Sequence, residues 1–276
     1  MALWFRRLLP RKGRGSSRPV NDPDAAPPKQ TSPNSSVTEL THHSQHVQDG
    51  RKSRRTREEI ADLNAKYASR IGMPNSSQYQ LMVAGDPYRV LNCPQLMGGK
   101  VEARRFCAKY NLDDQVLEDQ SDMPLDDVFK ELRKAREAML RSIIGRVGQG
   151  PVIEPPFHFS YGCNIVLGDK FYANVNLRIM DSALVVIGNN VLIGPNVTIV
   201  TDLHNKDLET RRNVYSSPVV IEDDCWIAAN SVILPGVTIG KGSVIGAGSV
   251  VARDISPGSV AMGTPARAQG HRPGLY

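Results

Sequence analysis

Between Val219 and Asp254 the chain repeats every six residues: VVIEDD, CWIAAN, SVILPG, VTIGKG, SVIGAG, SVVARD. The third residue of each block is aliphatic, namely Ile221, Ile227, Ile233, Ile239, Ile245 and Val251. A period of six matches neither the 3.6 of an amphipathic helix nor the 2 of a half-buried strand. It matches a coil of three short strands per turn, in which one residue per strand points inward and stacks on the turn below. VVIGNN, VLIGPN and VTIVTD repeat the pattern upstream with Ile187, Ile193 and Ile199, and spacing back from them places Ile179, Ala173, Leu167 and Tyr161 in the same column. The fold class is therefore mainly β, a parallel solenoid.

Two steps break the period. From Ile179 to Ile187 is eight residues, which places an insertion of two around Asp181 and Ser182. From Ile199 to Ile221 is 22, two short of four blocks, so a loop leaves the coil over roughly Asp202–Pro218. Loops that interrupt a regular scaffold are where site residues tend to sit. Downstream of His158, His204 in this loop is the only histidine besides His271 in the tail.

Ahead of the coil the pattern turns helical. Thr56 and Glu59 have capping-box spacing and predict a helix to about Ser69, and further helices are predicted over Ser77–Ala84 and Leu96–Tyr110. A fourth opens after Pro124 and runs to about Gly148, with Leu125, Val128, Leu132, Ala135, Met139 and Ile143 forming an apolar stripe. Three regions follow: a disordered basic leader over 1–55, a helical domain over 56–150 and the coil over 151–270. The helical domain is placed to cover the open first turn of the coil.

The chain carries 34 basic and 28 acidic residues. Residues 1–75 hold 14 and 7 of these, leaving 20 and 21 for the remainder, so the excess positive charge belongs to the leader. That argues against a nucleic-acid-binding body. Cys93, Cys107, Cys163 and Cys225 show no CxxC spacing and suit buried free thiols in a reducing compartment. No apolar run reaches membrane-spanning length, and a soluble cytoplasmic protein is expected. The first 21 residues hold six Lys/Arg and no acid, so a mitochondrial address is the alternative.

Several segments together resemble the hexapeptide-repeat sugar O-acetyltransferases, the group of maltose, galactoside and nodulation acetyltransferases. They are FYANVN (Phe171–Asn176), the His204 loop with Arg211 and Arg212, CWIA (Cys225–Ala228), VIGAGSVVARDI (Val244–Ile255) and MGTPARAQG (Met262–Gly270). The stretch YQLMVAGDPY followed by KVEARRFCAKYN is similar to the small N-terminal domain of that group, so the resemblance spans about residues 78–270. It implies a left-handed parallel β-helix, a homotrimer, and acetyl-CoA as the donor co-substrate.

Acyl transfer from a thioester to an alcohol needs a base for the hydroxyl proton, donors for the developing oxyanion and a slot for the pantetheine arm. His204 fits the base, since neutral imidazole accepts a proton at physiological pH, and it matches the family's catalytic histidine. On the acceptor side the resemblance implies Asn174 and Tyr88; Asp181, in the two-residue insertion, is read as orienting an acceptor or the histidine. On the donor side it implies Trp226, Ala229, Gly246, Ala247, Ala252, Arg253 and Arg267 along a face between subunits, the arginines meeting phosphates. No metal, nucleic acid or membrane partner is expected.

The family's acidic residue after the tyrosine matching Tyr88 is missing from Tyr88-Arg89-Val90-Leu91, and Lys100 stands where an arginine is expected. A sugar acceptor is the first reading; serine, an amino sugar or a xenobiotic alcohol is the alternative, and a non-catalytic assembly solenoid is another. A zinc carbonic anhydrase on the same coil needs three histidines, and the solenoid supplies only His158 and His204.

Overall fold

The structure, a computed structural model, describes residues 55–91, 93–112 and 123–271. Of the expected leader only Arg55 is among them, so the basic first segment lies outside the described residues.

Three parallel sheets form the walls of the coil. Sheet A contains β1 (Arg146–Val147), β4 (Ile165–Leu167), β7 (Val185–Ile187), β12 (Val219–Ile221) and β15 (Thr238–Ile239). Sheet B contains β2 (Val152–Ile153), β5 (Tyr172–Ala173), β8 (Leu192–Ile193), β13 (Trp226–Ile227), β16 (Val244–Ile245) and β18 (Ser259–Gly263), with β19 (Ala266–His271) added antiparallel at its end. Sheet C contains β3 (Phe157–Phe159), β6 (Leu177–Met180), β9 (Thr198–Val200), β14 (Val232–Ile233) and β17 (Val250–Val251).

The aliphatic column expected from the repeat is a set of in-register ladders. Leu167, Ile187, Ile221 and Ile239 stack in sheet A, and Ile153, Ala173, Ile193, Ile227, Ile245 and Ala261 in sheet B. Phe159, Ile179, Ile199, Ile233 and Val251 stack in sheet C. All are buried. Burying an aliphatic side chain of this size is worth about 1.5–3 kcal/mol, so the ladder is the main store of stability in the coil. Corner residues such as Asn196, Asn230 and Gly248 take left-handed φ angles of 60°, 61° and 70°, which Asn and Gly adopt most readily.

One expected rung is corrected. Phe159, not Tyr161, pairs with Ile179. Phe159 to Leu167 is eight residues, as is Ile179 to Ile187, so the same corner carries the two-residue insertion in consecutive turns. Tyr161 instead joins a separate cluster with Tyr79, Met82, Tyr88 and Leu96.

The helices are α1 (Arg57–Lys66), α2 (Ser77–Ala84), α3 (Pro94–Tyr110) and α4 (Leu125–Arg141). Thr56 and Glu59 form the expected capping box. Leu63 and Tyr67, at and just beyond the end of α1, pack on the outer face of sheet A against Val166, Val186 and Val220. At the end of α3 the Tyr110 hydroxyl donates to the Ile153 carbonyl at 2.8 Å, and the Asn111 amide makes two bonds to the Phe157 backbone. The helical region thus covers the first coil turn. On α4 the expected stripe holds at Val128 but fails at Leu125, which is 82% exposed. Arg55 fastens the start of the described chain to the coil by donating to the carbonyls of Pro218 and Gly236.

Candidate active site

Where the period breaks after Ile199, the chain leaves the edge between sheets C and A as a β-hairpin. Its strands are β10 (Asp202–His204) and β11 (Val214–Ser216), with His204 paired to Val214 and Asp202 to Ser216. His204 is exposed at the far end of β10. Its Nδ1 lies 2.9 Å from the backbone carbonyl of Arg211. A carbonyl only accepts, so Nδ1 carries the hydrogen and Nε2 keeps its lone pair. The carbonyl is itself held by the turn, where the Arg211 guanidinium donates to the Lys206 carbonyl at 2.9 Å and Asn213 N–H donates to Thr210 O at 2.9 Å.

Behind the hairpin stands Tyr88. Its N–H donates to the Val214 carbonyl at 3.1 Å and its hydroxyl to Asp202 Oδ1 at 3.2 Å. Burial, aided by the Asp202 charge, pushes the phenol far above its usual range, so it stays a donor. Asp181 is fully buried; its Oδ1 accepts from Ser160 and Tyr161 N–H at 2.9 and 2.8 Å, and its Oδ2 from Gly162 N–H at 2.7 Å. Burial pushes this carboxyl up to about 7 against the pull of those three bonds. Tyr88 and Asp181 were both expected beside the acceptor. With 3% and 0% exposure, both lie behind the hairpin and its neighbouring turn.

Asn174 lies on another edge, between sheets B and C. Its N–H continues the coil by donating to the Ile193 carbonyl at 2.9 Å, and its Oδ1 accepts from Val175 N–H at 2.8 Å. The Nδ2 group makes no hydrogen bond to protein among the described residues. Above it on the same edge come Gly194, then Ala228 and Ala229, then Gly246 and Ala247, linked by Gly194 N–H to Ile227 O, Ala228 N–H to Ile245 O and Gly246 N–H to Ala261 O. This column tolerates only small residues: a Cβ on Gly194 would sit 2.7 Å from Ala229 N, and one on Gly246 2.8 Å from Met262 Cβ. Trp226 flanks it at 44% exposure on sheet B. Arg267, exposed on β19, pairs with Met262.

The expected donor residues therefore split. Trp226, Ala229, Gly246 and Ala247 share the edge of Asn174, whereas Ala252 and Arg253 follow β17 on the edge from which the His204 hairpin departs. Sheet C separates the two edges. Its longest strand, Leu177–Met180, has four residues, roughly 13 Å at about 3.3 Å per residue. A single chain does not bring His204 and Asn174 together. Asp202, which the loop sequence did not single out, emerges here through its bond to Tyr88; its signal was the Asp-x-His spacing, which puts both side chains on one face of a strand.

The comparisons with known proteins follow the same division. Residues 81–148 match the maltose acetyltransferase hexapeptide capping motif, and residues 218–253 match the bacterial transferase hexapeptide with its six repeats. Nodulation protein L of Rhizobium meliloti is 39% identical over 196 residues, covering 70% of this chain and 98% of that protein. The chain belongs to the hexapeptide-repeat acetyltransferase family.

Galactoside O-acetyltransferase of Escherichia coli is 50% identical to this family member over 134 residues, 48% of the chain and 66% of that enzyme. The structure of a hexapeptide-repeat acetyltransferase of Vibrio cholerae O1, complexed with acetyl coenzyme A, superposes with a TM-score of 0.60 at 33% identity, covering 71% of this chain and 98% of that one. The chain is accordingly a parallel β-helix preceded by a helical region, and the capping motif spans part of that region. Among the described residues no helix is long and apolar enough to cross a membrane, and no cluster of side chains is arranged to hold a metal.

Proposed function

We propose that this protein transfers the acetyl group of acetyl-CoA to a hydroxyl of a sugar, in a homotrimer whose sites lie between subunits. The observation that carries the reading is the bond from His204 Nδ1 to the Arg211 carbonyl, which leaves Nε2 as a base. Nε2 takes the acceptor hydroxyl proton as the oxygen attacks the thioester carbonyl. The C–S bond then breaks, and the imidazolium returns the proton to the departing CoA sulfur. The unpartnered Nδ2 of Asn174 is suited to donate to the oxygen that becomes negative on the way.

A trimer with sites between subunits suits the need for both groups at one place. His204 and Asn174 stand on different edges of sheet C, so the edge of one subunit has to meet the opposite edge of the next. The narrow column of Gly194, Ala229, Gly246 and Ala247 gives the pantetheine arm close access to backbone amides, with Trp226 beside it and Arg253 and Arg267 near the phosphates.

Transfer is direct. Cys225, one residue from Trp226, is 1% exposed, its thiol lies 3.2 Å from the Gly240 carbonyl, and burial pushes it up to about 11. That thiol is neither accessible nor ionised enough to carry an acyl group. Arg89 and Val90, which occupy the stretch after Tyr88 where the family has an acid, favour keeping amino sugars and non-sugar alcohols as a second acceptor class.

The test is CoA release from acetyl-CoA across a panel of sugars, amino sugars, serine and simple alcohols, for wild type and His204→Ala. Turnover with a sugar that is lost in the variant supports the reading. Turnover with non-sugars alone moves the acceptor, and absence of both turnover and acetyl-CoA binding overturns it.

A further inference from the structure

We infer that Tyr88 is a positioning residue, tying the helical domain to both strands of the hairpin and so setting where His204 acts. The inference rests on reading His204 as the base. Tyr88 follows α2 and the Gly85 turn, and forms an isolated antiparallel bridge with Val214, the residue paired opposite His204. Its hydroxyl reaches across to Asp202, two residues before His204 on the other strand. One residue therefore grips both strands of a two-stranded hairpin, β11 by its backbone N–H and β10 by its hydroxyl; such a hairpin is marginal without external support.

The support behind Tyr88 is itself fixed. Ser216, at the foot of β11, donates its hydroxyl to the Met82 carbonyl in α2. Gly85 passes so close that a Cβ there would lie 3.1 Å from the Ser216 carbonyl. Asn64 on α1 donates to the Val83 carbonyl at 2.9 Å, joining α1 to α2. Among the described residues, the side-chain hydrogen bonds of β10 are those of Asp202 to Tyr88 and His204 to Arg211. The second sets the tautomer. The first links the hairpin face that carries the imidazole to the rest of the molecule, because residues two apart on a strand share a face.

The helical domain is then more than a cover for the open coil end. It is the fixed reference from which the base is aimed at a substrate held largely by a neighbouring subunit. Misplacement of about 1 Å from a distant change costs up to about 100-fold in rate, so loss of the hydroxyl is expected to register in turnover.

The experiment measures kcat and both KM values, with the melting temperature, for full-length wild type, Tyr88→Phe, Asp202→Ala, the double variant and His204→Ala. Tyr88→Phe keeps the ring and its packing and is expected to lower kcat about tenfold while leaving the acetyl-CoA KM unchanged. The double variant is expected to lose no more than the worse single one, because both remove the same bond. Wild-type kcat in Tyr88→Phe, with or without a lowered melting temperature, overturns the inference, as do losses that multiply in the double variant. His204→Ala reads the underlying assignment separately: if it keeps wild-type turnover, the base reading fails; if it is inactive while Tyr88→Phe is unaffected, only the positioning role fails.

Discussion

The Arg211 carbonyl and His204 Nδ1 face each other at 2.9 Å across the tip of the β10–β11 hairpin, seven residues apart in sequence. The contact replaces the carboxylate that often orients a catalytic imidazole with an uncharged acceptor. It fixes the tautomer without placing a negative charge against the ring, and it depends on the turn keeping its shape. Replacing His204 with Ala removes the base and is expected to lower kcat by about 10²–10⁴, while calorimetry shows acetyl-CoA binding intact. A variant that turns over normally would remove this imidazole from the mechanism.

The placement of His204 and Asn174 on separate edges predicts complementation. Trimers of His204→Ala alone or Asn174→Ala alone are expected to be nearly inactive. Co-refolding the two in equal amounts should restore about a quarter of wild-type sites if, as proposed, each site draws one residue from each of two neighbours. Activity assays on mixtures with and without refolding check this. No recovery in well-formed mixed trimers would mean that the site is contained within one chain.

Asp181 makes a pH prediction. Its folded value of about 7 lies above the ordinary 3.8, so its protonated form is favoured by folding. The contribution is fully present below the unfolded value and is lost as pH rises through about 7. Urea unfolding followed from about pH 4 to about pH 8 is therefore expected to show a falling contribution, and Asp181→Asn to flatten that slope. An identical slope in both proteins would show that the three amide bonds hold the carboxyl ionised throughout.

The ladder predicts where stability resides. Ile227, fully buried between Ile193 and Ile245, is expected to cost about 2–5 kcal/mol when changed to Ala, measured by chemical denaturation. Cys225→Ala, by contrast, removes a buried thiol with no catalytic part and is expected to retain kcat in the properly folded protein. Loss of turnover with acetyl-CoA binding and melting temperature unchanged would revive an acyl-enzyme.

The coil was legible because its period is imposed by geometry: each inward slot accepts one aliphatic residue, and Ile187, Ile193, Ile199 and their successors recur at that spacing with little disturbance. Ser77–Ala84 was readable to its ends because Ser76 caps one end and the left-handed Gly85 the other. The Tyr161 rung was misread because a corner insertion of two residues leaves the local pattern intact while shifting which residue points inward. The roles of Tyr88 and Asp181 were not legible, since burial and partner depend on contacts 114 residues away for the first and about 20 for the second. Nothing in the local sequence marks the Arg211 carbonyl, because an acceptor on the backbone has no residue type.

A parallel coil whose rungs are all in register has no inherent length, since each completed turn is a template for the next. At one end that template is occupied by Tyr110 and Asn111 of the helical region. At the other, β18 is answered by β19 running the opposite way, with a register shift between Val260 and Ala261. An antiparallel, irregular final strand cannot be copied by another hexad. The molecule thereby counts its own turns, and a chain cut before Ala266 would present β18 as a growing edge, turning an enzyme of fixed size into a seed for fibres.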